Sequence, residues 1–229
     1  MDDRSADVSA VAALAEPTRR RLYDHVVRSS APVSRDEASA ATGVPRATAA
    51  FHLDRLVTDG LLEVQFQRLS GRSGPGAGRP AKLYQRSECT VAVSFPERRY
   101  DLAGDLLAAA LDEAETTGEA PRRVLERSAR RRGRELAHEA GVVDSAVPPR
   151  DAVLQVLEAH GFEPRIEDDA VVLANCPFHT LARTHTDLVC GMNLSLLDGV
   201  LEGVPATGLV ADLAPEPGRC CVRLRPSGR

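Results

Sequence analysis

The sequence lacks any long hydrophobic run. No stretch approaches the ~20 consecutive apolar residues of a membrane-spanning helix, and the first ten residues, MDDRSADVSA, are too polar for a secretory signal. These absences predict a cytoplasmic protein, where clustered cysteines indicate metal ligands or redox groups before structural disulfides. Tryptophan is absent and aromatic residues amount to 3%, but hydrophobic residues at 43% are enough for a buried core.

The net charge of −4 conceals a gradient along the chain. Residues 1–86 carry 13 Lys and Arg against 10 Asp and Glu, whereas residues 151–229 carry 6 against 11. A basic N-terminal part and an acidic C-terminal part indicate a module that binds polyanions, joined to one that does not.

The stretch LAEPTRRRLYDHVVRS is predicted to form a first helix, and residues 34–60 then show the pattern of two helices joined by a tight turn. Ser34 and Glu37 form a capping-box pattern at the start of a short helix, which ends at Gly43. Pro45 can stand at the start of a second helix, whose inward face is predicted to contain Ala49, Leu53 and Leu56. This arrangement is typical of a helix-turn-helix, in which the second helix enters the major groove of DNA.

Polar residues on the outer face of that second helix are the candidates for contact with DNA. They are Arg46, Thr48, His52 and Arg55, with Pro45 at the start of the helix. For His52, contact with a base or phosphate and simple coverage of the helix surface are equally supported.

A basic hairpin is predicted to follow the second helix. The stretch GLLEVQFQRL alternates like a strand, SGRSGPGAGRP is a loop, and AKLYQR resembles a returning strand. The hairpin carries four basic residues suited to phosphates or the minor groove: Arg68, Arg72, Arg79 and Lys82.

Three stretches in this order, LAEPTRRRLYDHV, GVPRATAAFHLDRLVTDGLLE and GRPAKLY, resemble the winged-helix regulators of the ArsR and DeoR type. The resemblance covers about the first 85 residues and implies a winged helix-turn-helix that reads DNA. We therefore assign residues 1–90 to a DNA-binding domain.

Residues 91–147 are predicted to form a helical linker and dimerisation region. One helix carries an apolar stripe of Leu102, Leu106, Ala109 and Ala110, which can form a homodimer interface or pack inside its own chain. The next helix contains the run 130–132 of three arginines, which we interpret as a solvated face with Glu126 and Glu135 nearby.

Residues 148–229 are predicted to form a small α+β sensor domain. A helix, two strands with an acidic turn at 167–169, a helical segment kinked near Gly191, and a final hairpin follow one another. The whole chain is therefore placed in the α+β class.

Four of the five cysteines lie in this last region, and Cys89 is interpreted as a lone buried thiol. The candidate metal ligands are Cys176, Cys190, Cys220, Cys221 and His179. Thiolates suit soft metals and iron–sulfur clusters. The spacings of 14 and 30 residues match neither a CxxC zinc pair nor a ferredoxin run, so ordinary core packing stays open. Adjacent strand residues face opposite ways, so only one of the last two cysteines need face a pocket.

The motifs NCPFH, LVCGMN and GRCCVRL after a winged domain resemble the Suf-operon repressor family (SufR). That resemblance implies an iron–sulfur cluster held by Cys176, Cys190 and one of Cys220 or Cys221. The doubled last cysteine and the nearby His179 depart from the family pattern, which leaves the fourth ligand, and cluster against zinc, open.

The sequence thus predicts a homodimeric transcriptional regulator, a repressor, whose affinity for a double-stranded DNA operator depends on a bound iron–sulfur cluster or metal. Two alternatives remain: a regulator that senses a small organic ligand, and one that senses thiol oxidation through a disulfide. A cysteine hydrolase using Cys176 and His179 is set aside, since no third group orients the pair. The chain is not expected to be an enzyme.

Overall fold

The computed structural model describes residues 3–67, 80–141, 146–216 and 218–228. They group into two compact units, residues 1–93 and residues 94–229. Both helices and strands are present, so the prediction of a mixed helix-and-strand protein is confirmed. None of the helices in the described ranges has the length and apolar character to cross a membrane.

The described residues of the first unit form four helices and three short strands. The elements are α1 (Asp3–Ala13), α2 (Pro17–Arg28), β1 (Val33–Ser34), α3 (Arg35–Thr42), α4 (Arg46–Thr58), β2 (Leu62–Gln67) and β3 (Ala81–Arg86). The strands form an antiparallel sheet in the order β1-β3-β2. The core of this unit collects Leu22, Val26, Leu53, Leu56 and Tyr84.

Local signals determine where α3 begins and ends. The Ser34 side chain accepts from the backbone N–H of Glu37, and the Glu37 carboxylate accepts from the backbone N–H of Ser34, so the predicted capping box is confirmed. Gly43 ends the helix with φ 69°, in the left-handed region that glycine adopts without steric cost. A short turn follows, and α4 begins at Arg46.

In the second unit, the part of the chain that the structure describes forms five helices and one sheet. Its elements are α5 (Tyr100–Thr117), α6 (Pro121–Glu139), α7 (Pro149–Ala159), β4 (Pro164–Glu167), β5 (Ala170–Leu173), α8 (His179–Thr184), α9 (Thr186–Gly203), β6 (Leu209–Leu213) and β7 (Val222–Pro226). The sheet is antiparallel throughout, in the order β4-β5-β7-β6. The predicted acidic turn joins β4 to β5, and both of its aspartates, Asp168 and Asp169, have positive φ.

Helices α6 and α9 pack so closely that glycines of each helix lie against the backbone of the other. A Cβ atom added to Gly133 would lie 2.0 Å from the carbonyl oxygen of Leu196, and one added to Gly199 would lie 2.0 Å from that of Arg130. A Cβ added to Gly203 would lie 2.7 Å from the Cβ of Ala137. Only glycine permits this separation between the two helices.

The predicted linker helices belong to the same core as the cysteine-bearing region. Leu102, Leu106 and Ala110 of α5 are buried in a cluster that also contains residues of α6, α7 and α9. Of the two roles left open for this stripe, packing inside its own chain is therefore the one found. Ala109, the remaining residue of the stripe, is exposed.

Several arginines of α6 are bound by carboxylates. Arg130 bonds Asp198 at 2.7 Å and Glu202 at 3.0 Å, both on α9, and Arg132 bonds Glu139 at 2.6 Å. The bonds of Arg130 link α6 to α9. The bonds of Arg132, to Glu139 and also to Glu135 at 3.3 Å, run along α6, where the sequence predicted pairing. The predicted kink near Gly191 is wrong, because the helical segment breaks at His185, between α8 and α9.

We expect Gly199→Ala to lower the free energy of unfolding by about 3 kcal/mol, since its methyl group would overlap the α6 backbone, where no flexible side chain can move aside. Gly104→Ala is the matched control. Gly104 lies inside α5 with nothing within 4 Å of an added Cβ, so this change should raise stability by about 0.5–1 kcal/mol. Urea denaturation of both full-length variants measures the difference, and equal stabilities would contradict the close crossing.

Candidate nucleic-acid interface and cysteine site

The two faces of α4 differ sharply in burial. Ala49, Leu53 and Leu56 are fully buried against the first unit's core, so the predicted inward face is confirmed. The opposite face is exposed and carries most of the predicted DNA-contacting residues: Pro45, Arg46, Thr48 and Arg55. This surface can meet a large ligand without disturbing the fold.

Two arginines stand near opposite ends of that exposed face. Arg46 donates to Asp36 at 2.8 Å, and Arg55 donates to Asp59 at 2.9 Å. Their side chains remain 61% and 53% exposed. The Arg46–Asp36 pair is exposed on both sides and contributes little to stability, so Arg46 can exchange its carboxylate for a phosphate or a base edge at small cost. The Asp59 side chain is only 5% exposed, so Arg55 is the bonding partner of a largely buried carboxylate.

His52 does not share the exposed face. Its Nδ1 accepts from Arg19 at 3.4 Å, and its Nε2 lies 3.7 Å from a carboxylate oxygen of Glu16. Only 13% of the side chain is exposed. The expected outward position of His52 is therefore wrong, because the ring turns toward the start of α2.

A polar contact ties α4 to the sheet. The Asp54 carboxylate accepts from the hydroxyl of Tyr84 at 2.7 Å and pairs with Lys82. Although partial burial opposes ionisation, the bonds from Lys82 and Tyr84 lower the pKa of Asp54. Burial and the same carboxylate raise the pKa of Tyr84. Lys82 is thus bonded to α4, while the other predicted basic residues of the hairpin, Arg68, Arg72 and Arg79, lie outside the described residues.

The four cysteines of the second unit form two pairs. Cys190, on α9, is disulfide-bonded to Cys221, with 6.3 Å between their Cα atoms. Cys176 and Cys220 are free, buried thiols that share a hydrogen bond. Asn193, three residues after Cys190 on α9, donates to the Cys220 sulfur at 3.2 Å. All four sulfurs therefore gather around the first half of α9 and the residues that precede β7.

The pKa values of the two free thiols are shifted in opposite directions. Donation from the Cys220 thiol lowers the pKa of Cys176 against the effect of burial, and the backbone N–H of Phe178 and the charge of Arg98 act in the same direction. The bond to Cys176 and burial raise the pKa of Cys220. The arrangement favours a thiolate at Cys176 with a neutral thiol beside it.

Arg98 holds the loop that carries Cys176. Its guanidinium donates to the side-chain oxygen of Asn175 at 2.5 Å and to the carbonyl of Cys176 at 3.3 Å. The Asn175 amide donates in turn to the carbonyl of Gly161 at 2.6 Å. Arg98, Asn175 and Asn193 were not found from the sequence, because their partners lie up to 78 residues away.

Two sequence expectations differ from the structure around this site. His179 begins α8, and its backbone N–H donates to the Cys176 carbonyl at 3.0 Å, but its side chain is exposed. Cys89, expected to be buried, is exposed in the first unit.

The four cysteines of the second unit could all serve as ligands of a soft metal or an iron–sulfur cluster only when the disulfide is reduced. With Cys190 and Cys221 joined, Cys176 and Cys220 are the two cysteines of the second unit that are free to act as sulfur ligands. No group of three or more His, Cys, Asp or Glu side chains able to hold a metal occurs in the described part of the chain. Reduction of the disulfide would give four thiols in one neighbourhood, which is the complement that such groups require.

Comparison with known proteins gives one match. Residues 14–65, which span α2 to β2, match the family model of a helix-turn-helix domain. The comparisons with curated proteins and with solved structures found no match. The matched segment contains the exposed face of α4, and it indicates a DNA-binding transcriptional regulator rather than an enzyme.

Tryptic mapping tests the pairing of the cysteines. Cleavage after arginine places Cys176 in peptide 166–183, Cys190 in 184–219, and Cys220 with Cys221 in 220–223. Without reductant, we expect 184–219 to be linked to 220–223 and 166–183 to be free. Cys221→Ser should release the linked pair, whereas Cys220→Ser should keep it. A link to 166–183 would contradict the structure.

Proposed function

We propose that this protein is a winged-helix repressor that binds operator DNA as a homodimer and responds to the chemical state of its four-cysteine site. The match of residues 14–65 to a helix-turn-helix domain carries the DNA-binding part. An α4 with one face fully buried and the other exposed supports it, as does the antiparallel hairpin β2–β3 that follows. The N-terminal residues of such a helix reach base edges, and the hairpin acts as the wing.

The homodimer follows from how such helices read DNA. One helix contacts only a few base pairs, and regulators with this motif reach specificity by binding two half-sites symmetrically. Since the apolar stripe of α5 is buried within its own chain, the dimer contact requires another surface.

In the reduced protein, Cys176, Cys190, Cys220 and Cys221 would hold the cluster or metal. The gathering of their sulfurs around α9 supports this assignment. An iron–sulfur cluster would supply sensitivity to iron, sulfide and oxidants, and zinc would supply a structural clamp. The residues of this chain orient the site: Asn193 holds Cys220, and Arg98 holds the loop of Cys176.

Thiol oxidation is the second candidate signal, and the Cys190–Cys221 disulfide favours it. This bond connects α9 to the chain just before β7, so its formation restrains two elements of the same core. Either signal alters DNA binding only if the two chemical states favour different conformations.

Charge removal from α4 tests DNA binding. Duplexes selected from a random pool by the full-length protein serve as ligands. Arg46→Ala combined with Arg55→Ala should weaken binding at least 10-fold and reduce the salt dependence of the dissociation constant, because two cations leave the interface. Fluorescence anisotropy at several salt concentrations provides the measurement.

Arg122→Ala combined with Arg123→Ala is the matched control, since it removes the same charge from exposed positions on α6. Its affinity should stay within about 2-fold of the unchanged protein if net charge alone has a small effect at this ionic strength. Equal losses in both double variants would refute α4 as the reading element.

Anaerobic purification tests the cysteine site. We expect iron and acid-labile sulfide, or zinc, in the unchanged protein and in Cys89→Ser, and their loss in Cys176→Ser. Stripping the group with a chelator should change operator affinity by about 5-fold or more in the first two proteins, within the usual range of allosteric coupling, and not in Cys176→Ser.

If the protein purifies without metal, the proposed cluster or metal is rejected and thiol oxidation remains as the candidate signal. In that case mild oxidant should change operator affinity in the unchanged protein and have no effect in Cys190→Ser. Affinity that responds to neither treatment would reject both signals while leaving DNA binding intact.

A further inference from the structure

The exposed face of α4 carries an aromatic ring at its centre. Phe51 is 66% exposed, one turn after Thr48 and one turn before Arg55. Scattered apolar residues are common on protein surfaces, but this one lies on the face that a helix-turn-helix presents to bases.

The ring of Phe51 contacts the ring of the neighbouring His52. The rings of Phe51 and His52 meet edge to face, with centroids 5.3 Å apart and an interplanar angle of 68°. His52 is itself held by Arg19 and lies beside Glu16. The Phe51 ring therefore has a packing partner on its own helix, which limits the conformational entropy that it loses on meeting a ligand.

The chemistry of a phenyl ring selects its partner in the major groove. It offers no hydrogen bond to a phosphate or to the donor and acceptor groups of bases. The apolar feature of the major groove is the C5-methyl group of thymine, which side chains such as Phe contact. Exposed Arg46 and Arg55 on the same helix supply cations for the flanking phosphates or guanines.

We propose that Phe51 packs on the C5-methyl group of a thymine in each operator half-site and thereby determines base preference at that position. This inference rests on the proposed DNA-binding function. Because the same helix also carries the exposed Arg46 and Arg55, DNA is favoured over an apolar protein partner as its occupant.

Deoxyuridine lacks only the methyl group of thymine, so it tests the contact directly. In the duplex selected by the full-length protein, each thymine is replaced in turn by deoxyuridine. At one symmetric pair of positions, the unchanged protein should lose about 4-fold in affinity per half-site, the worth of one buried methyl group. Phe51→Ala should bind the thymine duplex correspondingly more weakly and no longer distinguish it from the uracil duplex.

Phe66→Ala is the matched control, because Phe66 is a second phenyl ring, 65% exposed, on strand β2. It should keep the thymine preference at those positions, whatever its overall affinity. Binding is measured at low salt, where phosphate contacts keep the weaker variants measurable.

The inference is overturned if no thymine shows a methyl effect in the unchanged protein, or if Phe51→Ala keeps the same preference. Sequence-specific binding with either result would leave the proposed function standing. A protein that selects no sequence from the pool would reject the proposed function itself, and the thymine contact with it.

Discussion

The close crossing of α6 and α9 is the constraint on which the second unit depends. Gly133 and Gly199 let each helix approach the backbone of the other, and Gly203 continues the contact toward the end of α9. Helix α5 packs on the same core, and β6 and β7 follow from the end of α9. Since α9 also carries Cys190 and Asn193, the position of the cysteine site is determined by the same crossing.

Local features of the chain could be predicted from the sequence because their causes lie within a few residues. The capping box of Ser34 and Glu37, the left-handed Gly43 and the buried stripe of α4 each follow from short-range geometry. The turn between β4 and β5 belongs to the same class, since aspartates tolerate positive φ.

Contacts between distant residues could not be predicted in this way. Periodicity shows that the α5 stripe is buried, but not whether its partner is another helix of the same chain or a second protomer. The pairing of Cys190 with Cys221, and the bond of Cys176 to Cys220, depend on how α9 and β7 meet. His52 faces inward because Arg19 and Glu16, more than 30 residues earlier, offer it partners.

Two neighbouring cysteines before β7 have unequal access to solvent. Cys220 is 4% exposed and lies against Cys176 and Asn193, whereas Cys221 is half-buried and bonded to α9. A dithiol reductant arriving from solution therefore reaches the disulfide at the sulfur of Cys221 and is itself oxidised as the bridge opens to two thiols. Cys221 is then the more accessible thiol of the adjacent pair. An oxidant or alkylating reagent from solution then meets Cys221 before Cys220, so the adjacent pair imposes an order on the reactions of its two thiols.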